Sequence, residues 1–211
     1  MPDHPHYLSP LLNGLELLIE GFCHSGNSFL RSNVAPSSRE HVAGHIHRPW
    51  GLRLALDAGI PVALLVRSPH DVAASMYYRG QVNGNPVSYW AGLACWYLYH
   101  RHAWRCRQRI TILPFDHLID EYDAIATMLE AKADVHFIRP PQRDGMNAFC
   151  GPRPPFHQSA LSRWLNSKAQ ALYQDFVDLA RQQRAAAAGA KKPADPQSEP
   201  AGEIFPIKVG N

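Results

Sequence analysis

Apolar residues follow two patterns along this chain. Some form short unbroken runs; others recur every three or four positions. Leu15–Phe22 (LELLIEGF), Pro61–Val66 (PVALLV) and Ile110–Phe115 (ITILPF) are runs of the first kind. Near-continuous apolar character over that length suits strands covered on both faces, as in a parallel sheet. Helical stretches lie between them. Pro49–Ala58 offers Trp50, Leu52, Leu54 and Leu56 for packing and is ended by Gly59. Ser68–Tyr78 has Ser, Pro and Asp in the order of a helix start. Val87–Gln108 predicts a long aromatic-rich helix, Ile119–Ala131 a shorter one and Leu161–Arg184 a last one. Polar segments separate these elements: the His-rich Ser37–Arg48, read as loop, the turn cluster Gln81–Pro86, and the Pro- and Gly-rich Pro140–Pro155, read as a lid or flank over a site. From Ala185 the chain turns to Ala, Gly, Pro, Lys and Glu, the composition of a disordered tail. The expectation is one α/β domain over 1–184 and a tail over 185–211. Strands alternating with helices predict a three-layer sandwich around a mainly parallel sheet.

Composition keeps that picture and narrows the partners. Hydrophobic residues fill 45% of the 211 positions, enough for one sizeable core. A net charge of +3 lacks the basic footprint of a nucleic-acid binder, yet is no obstacle to one small polyanion. The four cysteines, Cys23, Cys95, Cys106 and Cys150, have no C-x-x-C spacing, so neither zinc nor a disulfide framework is signalled. Met1–Pro10 carries no Lys or Arg, and the apolar run Leu11–Ile19 is broken by Asn13, Gly14 and Glu16. That makes a poor signal peptide and is too short to span a membrane. A cytoplasmic protein with reduced thiols is the expectation.

In a parallel α/β sheet, ligands bind beyond the carboxyl ends of strands. After the first run, Gly21-Phe-Cys-His-Ser-Gly26-Asn27-Ser28 fits G-x-x-x-x-G-x-S, the phosphate-loop pattern with asparagine at the lysine position. Backbone N–H groups of such a loop converge on phosphate oxygens, and a following helix adds partial positive charge. Without the lysine, ordinary ATP γ-phosphate transfer loses its charge stabiliser. The bland alternative is a Gly-rich strand–helix turn with no ligand. After the second run, Arg67 stands at the strand tip, Ser68-Pro69-His70-Asp71 opens a helix, and Ser75 lies inside it. Arg67 offers a planar fork suited to phosphate, and Ser75 a hydroxyl.

Together, Cys23-His-Ser-Gly-Asn-Ser-Phe-Leu-Arg31 and Leu65-Val-Arg-Ser-Pro-His-Asp-Val-Ala-Ala-Ser-Met-Tyr77 resemble the sulfotransferase family. That family uses 3′-phosphoadenosine 5′-phosphosulfate (PAPS) and releases PAP. The resemblance implies a P-loop NTPase-like topology. It also implies that Cys23, His24, Ser25, Gly26, Asn27 and Ser28 cradle the 5′ end, while Arg67 and Ser75 hold the 3′-phosphate. Ile112–Asp120 (ILPFDHLID) is similar to the family's later strand and acidic segment. Two departures concern charge. His24 falls where the family's loop carries Lys or Arg, and His45, in His45-Ile-His-Arg-Pro49, falls where many members carry the lysine of K-T-H-x-P. For the family's segment that closes over the cofactor, Arg139–Gly145 is a loose stand-in.

Sulfuryl transfer to a hydroxyl or amine needs a base for the acceptor proton and donors for charge developing on the leaving phosphate. His24 is the candidate for the second task; His47 and His45 are the candidates for the base, ahead of Asp116. The other histidines among the twelve read as loop, surface or core residues, and His100 and His102 lie in an aromatic helix that reads as core. The spacing of His41, His45 and His47 could hold a metal, but no carboxylate or Cys completes a set nearby, so none is expected. The acceptor, a glycan or small molecule, is not readable. The rivals are a PAP- or PAPS-binding protein without catalysis and a P-loop kinase-like phosphotransferase.

Overall fold

The three apolar runs form strands, and a fourth strand joins them. The computed structural model describes residues 13–44, 46–141 and 159–189. Its strands are β1 (Leu17–Gly21), β2 (Val42–Gly44), β3 (Val62–Val66) and β4 (Thr111–Pro114), all parallel in the order β2-β1-β3-β4. The helices are α1 (Asn27–Ser32), α2 (Pro49–Asp57), α3 (Pro69–Val82), α4 (Tyr89–Trp104), α5 (Tyr122–Glu130) and α6 (Ala160–Gly189). Every residue of β1, β3 and β4 is buried, as their unbroken apolar character demands.

Helices cover both faces of the sheet. On one face Leu18, Val62, Leu64, Val66 and Ile112 pack with α2, α3, α4 and α6, through Leu52, Val72, Leu93, Trp96 and Phe176 among others. On the other, Leu17, Ile19, Ala63, Leu65 and Leu113 pack with α1 and α5, through Phe29, Leu30, Ile125 and Leu129. The fold is therefore a three-layer α/β sandwich. Alternate residues of one strand, Leu17 and Ile19 against Leu18, serve opposite cores, the period-two geometry of a strand.

The strand order reverses direction at β1. The chain leaves β1 for β2 on one side, then crosses back to β3 on the other. Right-handed crossovers require the connecting helix to change faces at such a reversal, and α1 and α2 do pack on opposite faces. The connections leaving β1 and β3 thus run in opposite directions, the topological switch point at which α/β sheets place ligands, beyond the carboxyl edge.

The structure redraws several sequence-based boundaries. Ser37–Arg48, read as loop, contains a 3-10 turn (Pro36–His41) and β2, whose Val42, Ala43 and Gly44 pair with Leu17, Leu18 and Ile19. A three-residue strand is too short to carry a periodic signal. The helix read as Ser68–Tyr78 runs on to Val82, into the turn cluster. The helix read as Val87–Gln108 is Tyr89–Trp104, followed by a 3-10 turn, and the one read as Ile119–Ala131 is Tyr122–Glu130. α6 continues past Arg184 through Ala185–Gly189, residues assigned from composition to the tail; their alanines favour helix. Most of the Pro140–Pro155 segment and the chain from 190 onward lie outside the described residues. Among the described residues no helix is long and apolar enough to cross a membrane.

Candidate functional site

At this switch point the loop after β1, the start of α3 and the 3-10 turn after β4 come together. Gly21 ends β1 opposite Leu65 of β3. A Cβ there would lie 2.6 Å from Asn27 Oδ1 and 2.7 Å from the Leu65 carbonyl, so only glycine allows the loop to fold back on itself. Asn27 closes it from inside: buried, it donates Nδ2–H to the Gly21 carbonyl at 3.0 Å. The residue at the P-loop lysine position thus ties the loop's end to its start. Gly26, with φ of +91°, turns the chain into α1. A Cβ on Gly26 would stand 2.7 Å from the Phe115 ring, which the turn after β4 brings over the loop.

The predicted anion-binding residues do meet here. Arg67 donates from Nη1 to the His24 carbonyl at 3.0 Å, its guanidinium lies 4.5 Å over the Phe115 ring, and its own carbonyl accepts from Trp96 Nε1 at 3.1 Å. Ser75 Oγ and His24 Nδ1 are 3.3 Å apart. Arg67 and Ser75 therefore brace the loop at its His24 corner, where the backbone is left-handed with φ of +66°. Cys23 is half-buried, and burial pushes its thiol pKa up. Ser28 is exposed on the first turn of α1.

Several polar atoms in this construction lack partners. Ser25 Oγ, Asn27 Oδ1 and Arg67 Nε are buried with no hydrogen bond among the described residues. Among the described residues no side chain caps the N–H groups at the start of α1. Buried polar groups are nearly always paired, and each orphan costs about 1–3 kcal/mol. Two on the loop and one on the Arg67 guanidinium that braces it form a concentrated deficit, and an anion's oxygens would relieve the two donors among them, Ser25 Oγ and Arg67 Nε.

The two described candidate histidines experience opposite environments. Burial lowers the His24 pKa to about 4, and the nearby charges of Arg79 and Arg67 push it the same way. His24 is thus neutral at pH 7. Arg79, four residues after Ser75 on α3, was not singled out from the sequence; it is exposed and places a second cation beside the loop. His47, with φ of +50°, has its pKa raised, chiefly by hydrogen bonding with Glu20. Glu20 was missed as well: fully buried in β1, it accepts from the backbone N–H groups of Gly21 at 2.9 Å, Ile46 at 2.8 Å and His47 at 3.2 Å. A carboxylate inside an otherwise apolar strand was the available signal. His45 lies outside the described residues.

The remaining candidates are occupied elsewhere. Asp116 accepts from Tyr173 Oη at 3.1 Å. His100 is fully buried against Trp96, with Nδ1 on the Trp96 carbonyl at 2.9 Å, and is a core residue. Arg139 pairs with Glu130 at 2.5 Å. Among the described residues no group of three His, Cys, Asp or Glu side chains is placed to hold a metal ion. No protein-family model, no curated protein and no solved structure matches the chain.

Proposed function

We propose that this chain is a PAPS-dependent sulfotransferase that moves a sulfuryl group to a hydroxyl or amine of a glycan or small-molecule acceptor. The observation that carries the reading is the convergence of unpartnered buried donors, Ser25 Oγ and Arg67 Nε, on one glycine-turned loop at the point where the sheet order reverses. PAPS placed there would supply the transferable sulfuryl group, its 5′ end accepting from Ser25 and its 3′-phosphate from Arg67. Ser25, Gly26 and the uncapped start of α1 would hold its 5′ end. Arg67 and Ser75, with Arg79 beside them, would face the 3′-phosphate. The loop's position after β1 agrees with a P-loop-like topology, and the free thiols Cys23, Cys95 and Cys106 agree with a cytoplasmic setting.

One observation favours a second reading, a PAP or PAPS binder without turnover: neutral His24 supplies no fixed charge where the resembled family has a lysine. A kinase-like phosphotransferase fits less well, because Asn27 is turned inward onto Gly21 and offers nothing to a γ-phosphate.

Calorimetry with PAP and ATP tests the assignment. Preference for PAP is expected; preference for ATP overturns it. Ser25→Ala sharpens the test. Removing an orphan hydroxyl leaves stability unchanged or raised, whereas losing a hydrogen bond to a charged ligand costs about 1.5–3 kcal/mol, roughly 10- to 150-fold in PAP affinity. Undiminished PAP affinity in a folded Ser25→Ala protein removes the loop from the binding site.

A further inference from the structure

Glu20 does more than staple a loop. His47 Nδ1 lies 2.8 Å from the Gly21 carbonyl and 3.4 Å from Glu20 Oε1. A carbonyl oxygen only accepts, so Nδ1 carries the proton and Nε2 is the basic nitrogen of the neutral ring. The carboxylate that faces Nδ1 also accepts the N–H groups of Ile46 and His47. It thereby holds His47 in a left-handed backbone conformation that a side chain rarely adopts. Gly21 is the first residue of the loop that carries Ser25 and Gly26. The imidazole is therefore tied to the anion-binding loop itself.

We propose that Glu20 is the positioning residue for His47 and that the pair takes the proton from the acceptor during transfer. This rests on the sulfotransferase reading above. In the step, the acceptor oxygen forms a bond to sulfur and the bond from sulfur to the bridging phosphate oxygen breaks. The electron pair leaves on the phosphate of PAP, and the hydroxyl proton goes to His47 Nε2. The Gly21 carbonyl keeps the Nδ1–H bond, and the Glu20 carboxylate, 3.4 Å from Nδ1, stabilises the resulting imidazolium by its charge. Among the described residues, the ionisable groups that face His47 include Glu20 from β1 and His24 from the loop, whose ring is neutral near pH 7. Of these, Glu20 is the one that raises the ring's basicity.

Nitrogen NMR of histidine in the full chain tests the tautomer with no substitution. The expected result is a neutral His47 protonated on Nδ1; a ring protonated on Nε2 overturns the proposal. Glu20→Gln tests the coupling. In the folded variant, the His47 titration and the acidic limb of the turnover profile should both move to lower pH, by about one unit or more. Turnover should fall at least about tenfold, with PAP affinity within twofold of the parent. A titration and pH profile that stay in place overturn the proposal, because a merely structural Glu20 would leave them unmoved. Should Glu20→Gln not fold, Glu20→Asp keeps the charge, and the tautomer measurement still decides. A chain that binds no PAP overturns the underlying reading and this proposal with it. One that binds PAP with the wrong tautomer overturns this proposal alone.

Discussion

His24 is neutral in the free protein, and a bound polyanion must change that if the residue is to stand in for a lysine. Its pKa of about 4 lies three units below pH 7. Protonation at pH 7 therefore costs about 4 kcal/mol, at roughly 1.4 kcal/mol per unit. A single negative charge about 4 Å away, in the effective dielectric of a protein surface, returns about 4 kcal/mol. The two magnitudes cancel, so a phosphate in contact with the ring lifts its pKa to about 7. Binding then takes up about half a proton at pH 7, nearly one at pH 6 and about a tenth at pH 8. Affinity should be about tenfold tighter at pH 6 than at pH 8 from this group alone. Phosphates of the ligand titrate near pH 6 too. The informative quantity is thus the difference between the parent chain and His24→Gln, measured by calorimetry in buffers of different ionisation heat. Arg79→Ala removes a cation that opposes the proton, so it should raise the free His24 pKa in NMR. Equal proton uptake in the parent and His24→Gln would refute the reasoning and leave His24 a neutral hydrogen-bonding group throughout.

Two further outcomes concern the scaffold. Burial pushes the His100 pKa down to about 3, below its unfolded value near 6.5, so the unfolded chain takes the proton first and stability falls as pH drops below 6.5. Between pH 7 and pH 5 this residue costs about 2 kcal/mol; His100→Phe should abolish that part of the acid loss in urea unfolding, and an unchanged pH slope would reject the assignment. Gly26→Ala combines a left-handed φ of +91° with a Cβ 2.7 Å from the Phe115 ring. It should lower stability by about 1–3 kcal/mol in the same assay and displace Phe115 from Arg67, whereas a loss below about 0.5 kcal/mol would mean that the loop relaxes freely.

The sheet was legible where burial on both faces leaves a continuous apolar run. β1, β3 and β4 come from such runs, trimmed by one to three residues. β2 was not, because its Val42-Ala43-Gly44 owes its conformation to pairing with Leu17–Ile19, a partner distant in sequence. The same limit governs the site. Gly21, Ser25, Gly26, Arg67 and Ser75 were readable because each belongs to a local motif beside a strand end. Glu20 acquires its role only when Ile46 and His47 fold onto it, and Phe115 only when β4 carries it over Gly26 and Arg67. As sequence, the first is a blemish in an apolar strand and the second an ordinary strand-end aromatic.

The largest gap between sequence and structure concerns two residues that sequence did name. His24 and His47 share one unperturbed pKa and one region of the chain, so nothing local tells them apart. The fold does. Arg67 at the tip of β3 and Arg79 on α3 stand on one side of the loop, and β1 carries the buried carboxylate of Glu20 on the other. Burial first and the arginines second drive His24 toward the neutral form, and the Glu20 carboxylate drives His47 toward the protonated form. Environments that push like groups apart are how a protein divides acid from base roles at a single pH. On the proposed reading, His47 then suits proton acceptance, while His24 waits for the ligand's own charge before it becomes a cation. The missing loop lysine is in that case replaced by a charge present only when the anion is bound.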